Sequence, residues 1–170
     1  YAHASVGCLH VRPILNMKSN NDVIKMRAIA EEAFELVKKF DGSHSGEHGD
    51  GISRSEFNPI MFGEKLTNAF RELKSLMDPY GIFNPGKIVD APKMDDRHLF
   101  RFSPGYTVSD FKTELDWSTW SGSSNGFQGA VEMCNNNGAC RKLKGGVMCP
   151  SFRITGEEKD STRGRANSLR

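Results

Sequence analysis

Residues 42–51, GSHSGEHGDG, constrain the fold of this chain more than any other segment. They hold four glycines, two histidines, one glutamate and one aspartate, with no hydrophobic side chain among them. Glycine permits positive φ and close backbone approach, so the segment is expected to form a loop. Glu47 and His48 are adjacent, and extended backbone would turn their side chains to opposite sides. One could then bind a metal while the other faces a substrate, although a solvated glycine-rich turn is the alternative.

Composition points to a soluble protein of one domain, or of one domain with an appendage. The chain has 170 residues, of which 37% are hydrophobic, and no apolar run approaches the roughly 18 residues of a membrane span. The first residues, YAHASVGCLH, lack a basic region and an apolar region, so we expect no signal peptide, no transmembrane segment and a cytoplasmic location. Because the chain has no starting Met, we expect it to be a fragment.

Charge is distributed unevenly along the chain. Residues 134–170 carry a net charge of +5, and the remainder carries −3. Such a basic tail suits nucleic acid, an acidic partner or simply a solvated face.

The hydrophobic pattern predicts an α+β body over residues 1–90. A strand is expected at 5–12 and helices at 20–40 and 63–77, where apolar residues recur at helical spacing. We expect a small antiparallel sheet covered by these two main helices. The apolar stripe expected on the first helix is Val23, Met26, Ala30, Ala33, Val37 and Phe40. A connector over 91–133 and an irregular C-terminal extension over 134–170 would follow.

Two histidines flank the predicted strand. His3 and His10 are seven residues apart, and an unbroken strand would place them on opposite faces, about 23 Å apart. They can share a metal only if the chain bends between them, and Gly7 is the residue that would permit a bend.

Three of the four cysteines cluster near the C-terminal end. Cys134, Cys140 and Cys149 have the spacing C-x5-C-x8-C, and Pro150 follows the last of them directly. Proline after a cysteine is a feature of iron–sulfur runs. Three thiolates are too few for a closed tetrahedral zinc site, so a further ligand must come from elsewhere. Three unrelated thiols in a loop are the alternative.

Three blocks of the sequence resemble the C-terminal part of the FAD-linked oxidases and dehydrogenases of D-2-hydroxy acids. These blocks are His3 with Leu9-His10, SGEHGDG, and DPYGIFNPGKIV. The family includes D-lactate dehydrogenase, D-2-hydroxyglutarate dehydrogenase and the glycolate oxidase flavoprotein subunit. The tail from residue 133 is similar to the bacterial members that are fused to an iron–sulfur module. Residues 1–90 would then be the metal- and substrate-bearing region, and 134–170 a truncated ferredoxin-like segment.

The resemblance implies a mechanism and assigns residues to it. FAD would bind on an N-terminal domain absent from this chain, and a divalent metal, zinc in our expectation, would be held by His3, His10 and Glu47. His48 would accept the hydroxyl proton while hydride passes to FAD. Electrons would then pass to a 4Fe–4S-type cluster, incomplete in this chain, and on to a quinone or a redox protein. This chain alone is expected to be inactive, and the whole enzyme cytoplasmic or peripheral to the inner membrane.

Elementary chemistry is consistent with these assignments. Two imidazoles and a carboxylate with an open position suit zinc or a similar ion, and histidine suits a base near neutral pH. This sequence departs from many members by having Val-Gly-Cys before Leu9-His10, and Arg12 where they have asparagine. Arg12 could bind a substrate carboxylate bidentately or pair with a surface acid.

Two other classes of function remain open at this point. The first is a zinc-dependent hydrolase built on His3, His10 and Glu47, against which the cysteine block argues. The second is a metal-clipped nucleic-acid-binding module formed by the cysteine segment and the basic tail. That module would need four ligands within the chain, and three are present.

Overall fold

The computed structural model describes residues 2–46, 48–107, 112–120, 126–146 and 148–170. Within these ranges the chain forms two short strands and six α-helices. They are β1 (Ala2–His3), β2 (Cys8–Leu9), α1 (Asn20–Lys39), α2 (Gly51–Arg54), α3 (Asn58–Met77), α4 (Gly126–Glu132), α5 (Pro150–Thr155) and α6 (Thr162–Leu169). The chain divides into two compact units, Tyr1–Tyr106 and Thr107–Arg170. The predicted α+β class, with a small antiparallel sheet, is confirmed. None of the described helices is long and apolar enough to cross a membrane.

The strand predicted at 5–12 is wrong in its extent. β1 and β2 pair antiparallel, with His3 opposite Cys8. A 3-10 turn at Ala4–Val6 joins them and ends at Gly7, whose φ is +67°. Only glycine adopts that conformation at little cost, so Gly7 converts one predicted strand into a tight hairpin.

Helix α1 occupies nearly the whole of its predicted range. Val23 and Phe34 are its buried residues, and the Phe34 ring stacks on Phe57 at 5.0 Å between centroids. The predicted stripe omitted Phe34 and included Phe40, which is 72% exposed. Phe40 lies just beyond the last helical residue, where the helical periodicity no longer sets the direction of its side chain.

Phe34→Ala is expected to destabilise the first unit by about 3–5 kcal/mol, because it removes a ring that packs on Phe57. Urea unfolding of the full-length protein measures this change. Phe40→Ala is the matched control, since its ring is 72% exposed and truncation should change stability by no more than about 0.5 kcal/mol. Equal effects of the two substitutions would show that the Phe34–Phe57 stack is not a core contact.

Helix α3 begins five residues before its predicted start. Pro59 lies in its first turn, where the missing N–H costs no hydrogen bond. Gly63 then interrupts the helix with φ +78° and ψ 166°, a conformation available essentially to glycine alone. Thr67 Oγ1 donates to the Gly63 carbonyl at 2.9 Å and holds the kink. The predicted helix at 63–77 corresponds to the part after this kink.

Asp78 closes the C-terminal end of α3 and holds the loop that follows. Its carboxylate accepts hydrogen bonds from the backbone N–H of Ile82 and Phe83, both at 2.9 Å. The Lys74 ammonium donates to the same carboxylate. Lys74 and then these two N–H groups lower the pKa of Asp78 to about 2.

Asp78→Asn is expected to destabilise the protein at neutral pH but not near pH 2. The pKa of Asp78 is lower in the folded state than its usual 3.8, so its stabilising contribution is complete above about pH 4 and is lost as the pH falls towards about 2. Unfolding measured between pH 7 and pH 2 should show the difference from wild type shrinking over that interval. Asp90→Asn is the control, because Asp90 is 72% exposed in its pair with Arg71 and such pairs contribute little. A pH-independent difference for Asp78→Asn would contradict the account.

Candidate functional site

Three histidines meet at the hairpin of the first unit. The turn at Gly7 brings the rings of His3 and His10 to 5.7 Å between centroids. His48, from the glycine-rich loop, lies 4.7 Å from the His3 ring and 6.0 Å from the His10 ring. Its Nε2 atom is 2.8 Å from His3 Nε2. We call His3, His10 and His48 the histidine cluster.

The histidine cluster has the donor set and spacing of a metal site. One ring nitrogen from each histidine lies within 4.8 Å of the other two. Nitrogens bound tetrahedrally at about 2.0–2.1 Å would be roughly 3.3 Å apart, so the His3 and His48 nitrogens, now 2.8 Å apart, would have to separate slightly while His10 moves to complete the site. In the described ranges no other set of three His, Cys, Asp or Glu ligand atoms lies so close together. Glu47, the predicted third ligand, lies outside the described residues.

Arg12, the predicted substrate-binding residue, lies beside this cluster. Its Nε donates to His10 Nδ1 at 3.3 Å. Partial burial, the positive charge of Arg12 and the two neighbouring histidines all lower the pKa of His10. These surroundings favour the neutral imidazole of His10, which is the form that binds a metal.

His44 anchors the start of the glycine-rich loop, and sequence reasoning gave it no role. Its side chain is 6% exposed and lies edge-on to Phe34 at 5.8 Å and close to Phe62 at 6.1 Å. Its Nε2 is 3.8 Å from Asp50 Oδ1, and within the described part of the chain neither ring nitrogen has a hydrogen-bond partner. The side chain of His44, the first histidine of the loop, is thus buried, unlike that of the exposed His48.

A buried polar network joins the glycine-rich loop to the block at residues 78–89. The fully buried Asn58 donates from Nδ2 to Asp50 Oδ2 at 3.2 Å and to the Ile88 carbonyl at 3.3 Å. Ser55 Oγ accepts from the Ile88 N–H at 3.0 Å and donates to the Gly51 carbonyl. The segments SGEHGDG and DPYGIFNPGKIV, which both resemble the family, are therefore joined by hydrogen bonds. Sequence reasoning missed this junction, because its hydrogen bonds to Ile88 join residues that are 30 and 33 positions apart.

The cysteine segment of the second unit encloses two of its three sulfur atoms. Cys140, Cys149 and Phe152 form a buried cluster. The Thr162 N–H donates to Cys149 Sγ at 3.0 Å, and the Thr162 hydroxyl lies 2.7 Å from that sulfur. The Thr162 hydroxyl is the main cause that lowers the pKa of Cys149, and the positive charge of Arg165 adds to it. Such surroundings favour the thiolate, the form that binds iron or zinc.

Cys134 lies just beyond α4 and is only half-buried. Arg163 donates to Glu158 through two nitrogens, at 2.7 and 3.0 Å, and to the Asn136 carbonyl at 3.2 Å. It thereby ties α6 to the loop that carries Cys134. Sequence reasoning did not identify the roles of Thr162 and Arg163, since neither belongs to the cysteine spacing pattern.

One known protein family matches the part of the chain that contains the histidine cluster. Residues 1–88 match the model of the FAD linked oxidases, C-terminal domain. The chain belongs to this family. The matched segment contains the hairpin, the glycine-rich loop and the network at Asn58, so the site described above lies wholly within the family domain. The cysteine segment lies outside the match.

Individual relatives fall into two groups, according to whether they match the whole chain or about half of it. The chain is 35% identical to the D-2-hydroxyglutarate dehydrogenase of Escherichia coli and 36% identical to that of Pseudomonas putida, in each case over 100% of its length and 16% of the relative. It is 27% identical to the glycolate oxidase subunit GlcD of Bacillus subtilis over 52% of its length and 19% of the relative. The chain thus spans about a sixth of the length of the dehydrogenases that match it throughout. No solved structure matches it significantly.

The relatives differ in how much of the chain they match. The GlcD match extends over 88 residues, whereas the E. coli match includes the cysteine segment. The second unit is therefore a feature that the chain shares with the D-2-hydroxyglutarate dehydrogenases that match it throughout.

Proposed function

We propose that this chain is the metal- and substrate-binding part of an FAD-linked dehydrogenase that oxidises a D-2-hydroxy acid to the 2-oxo acid. The observation that carries the proposal is the histidine cluster, three imidazoles with nitrogens within 4.8 Å of one another, inside the FAD-linked oxidase domain. Relatives are named for D-2-hydroxyglutarate, glycolate and D-lactate, which are all 2-hydroxy acids.

His3 and His10 are the proposed metal ligands, with Glu47 as the third. Two imidazoles and a carboxylate with an open position suit zinc or a similar divalent ion. When bound, such an ion would polarise the substrate hydroxyl and make its proton easier to remove. The hairpin holds His3 and His10 on the same side, which an unbroken strand would not do.

His48 is the proposed proton acceptor. Its ring is exposed and its Nε2 is 2.8 Å from His3 Nε2, so it can reach a hydroxyl positioned beside that ligand. In the proposed reaction His48 would take the hydroxyl proton, and FAD, bound elsewhere in the enzyme, would supply the acceptor for the hydride from the same carbon. Arg12, 3.3 Å from His10, is placed to bind the substrate carboxylate bidentately and orient this carbon.

Cys134, Cys140 and Cys149 are the proposed ligands of an iron–sulfur cluster, completed by a ligand outside this chain. The buried Cys140 and Cys149 and the Thr162 N–H donated to Cys149 Sγ support this role, because hydrogen bonds to sulfur help set a cluster's potential. Electrons would pass from the reduced flavin to the cluster and then to a quinone or a redox protein. We place the enzyme in the cytoplasm or at the inner membrane surface.

The test is the activity of the full-length protein on a panel of D-2-hydroxy acids with an artificial electron acceptor. The proposal predicts acceptor reduction with one or more D-enantiomers and far less with the matched L-enantiomers. A protein that hydrolyses esters or amides but reduces no acceptor would instead support the zinc hydrolase. Anaerobic reconstitution should add a broad visible absorbance band, and its absence would contradict the iron–sulfur assignment.

A further inference from the structure

We propose that a close contact between Gly46 and Cys8 sets the position of His48 relative to His3, which makes Gly46 and Cys8 positioning residues for the metal site. The inference rests on the proposed function, because the histidine cluster is the site being positioned. No step of the proposed reaction needs either residue.

The two partners are tied directly to the two histidines. Cys8 pairs with His3 across the hairpin, and Gly46 is two residues before His48. A Cβ atom added to Gly46 would overlap Cys8 Sγ and would also lie 3.2 Å from Val6 Cγ2 and 3.4 Å from Cys8 Cβ. The loop backbone therefore rests on the Cys8 side chain.

Gly46 differs from Gly49 and Gly51, the two glycines that follow it in this loop. Gly49 and Gly51 have φ of +52° and +55°, and a Cβ on either would meet nothing within 4 Å. Those two positions need glycine for backbone conformation. Gly46 has no positive φ, so φ by itself does not call for glycine there. What requires glycine at position 46 is the space that Cys8 Sγ already fills.

This contact acts as a spacer between the loop and the hairpin. His48 Nε2 lies 2.8 Å from His3 Nε2, and under this proposal that separation follows how closely residue 46 approaches residue 8. A bulkier side chain at either position would lift the loop by a fraction of an ångström to about 1 Å. A displacement of about 1 Å can cost roughly 10²-fold in rate at a site that depends on orientation.

A double-mutant cycle in the full-length protein tests the inference. Gly46→Ala should weaken zinc binding by about tenfold or more, and Cys8→Ala, which removes the spacer without introducing a clash, should weaken it by a clearly smaller factor. The double variant Gly46→Ala/Cys8→Ala should recover most of the lost affinity, since truncation removes the sulfur that the new methyl group would strike. Cys8→Leu, which pushes from the opposite side, should weaken binding as Gly46→Ala does.

Hydrogen exchange on the metal-free protein provides a readout that is independent of metal. Peptides covering residues 42–51 should exchange faster in Gly46→Ala and return towards the wild-type rate in the double variant. Normal zinc binding and exchange in Gly46→Ala would overturn the inference, as would a double variant no better than Gly46→Ala. If wild type bound no zinc but the exchange pattern held, the proposed function would fail and the positioning contact would stand.

Discussion

Replacing His48 with alanine in the full-length protein is expected to lower kcat by about 10² to 10⁴, the usual effect of losing an acid–base group. Metal content should stay close to that of wild type, because the proposed ligands are His3, His10 and Glu47. Steady-state kinetics and metal analysis on the same preparation measure both quantities. His98→Ala is the matched control, since His98 is an exposed histidine remote in sequence from the cluster.

Comparison with Glu47→Gln decides whether His48 is the proton acceptor or a metal ligand. It should lower metal content, because the amide is a weaker ligand than the carboxylate. If His48→Ala lost the metal while Glu47→Gln kept it, the roles would be reversed. His48, 2.8 Å from His3 Nε2, would then be the third ligand. Near-normal turnover and metal content in both variants would show that neither residue takes part.

His3→Ala is expected to have the largest effect on metal binding. The His3 ring is closer to each of the other two rings than they are to each other: it lies 5.7 Å from His10 and 4.7 Å from His48, whereas His10 and His48 are 6.0 Å apart. Losing a direct ligand should weaken affinity by more than the roughly 10–100-fold typical of an outer partner. Competition between the protein and a zinc-binding dye gives the affinity of wild type and variant.

Two outcomes of that titration would separate the histidine cluster from an incidental grouping of rings. The account requires His3→Ala and His10→Ala to lose far more zinc affinity than Arg12→Ala, since Arg12 contacts His10 but is not a proposed ligand. Arg12→Ala should instead raise KM by weakening the hold on the substrate carboxylate. Unchanged zinc affinity in both histidine variants would remove the metal site from the account.

Local sequence signals predicted α1 well and the hairpin poorly. Helix α1 has helical periodicity and basic residues at its end, and these act within a few turns. The hairpin depends on one residue, Gly7, whose φ of +67° reverses the chain between two segments that each look extended. The possibility of a bend was visible from glycine, but its direction was set by the pairing of His3 with Cys8.

In the candidate site, too, some features could be predicted from the local sequence and others depended on the fold. The chemistry of the glycine-rich loop was evident from its residue types, and the roles of its residues came from the family resemblance. Neither indicated that His44 would be buried against Phe34 and Phe62, because burial depends on which aromatic residues the fold brings near. The contact of Asn58 with Ile88 spans 30 residues and has no periodic signature in the sequence.

Flavin reduction in the full-length protein, before and after removal of its metal, tests the central claim most directly. Anaerobic mixing with a D-2-hydroxy acid should bleach the flavin absorbance of the metal-loaded protein within the turnover time. Chelation should abolish the bleaching and added zinc should restore it in wild type but not in His3→Ala. Bleaching that survives chelation, or a flavin that no 2-hydroxy acid reduces, would contradict the account.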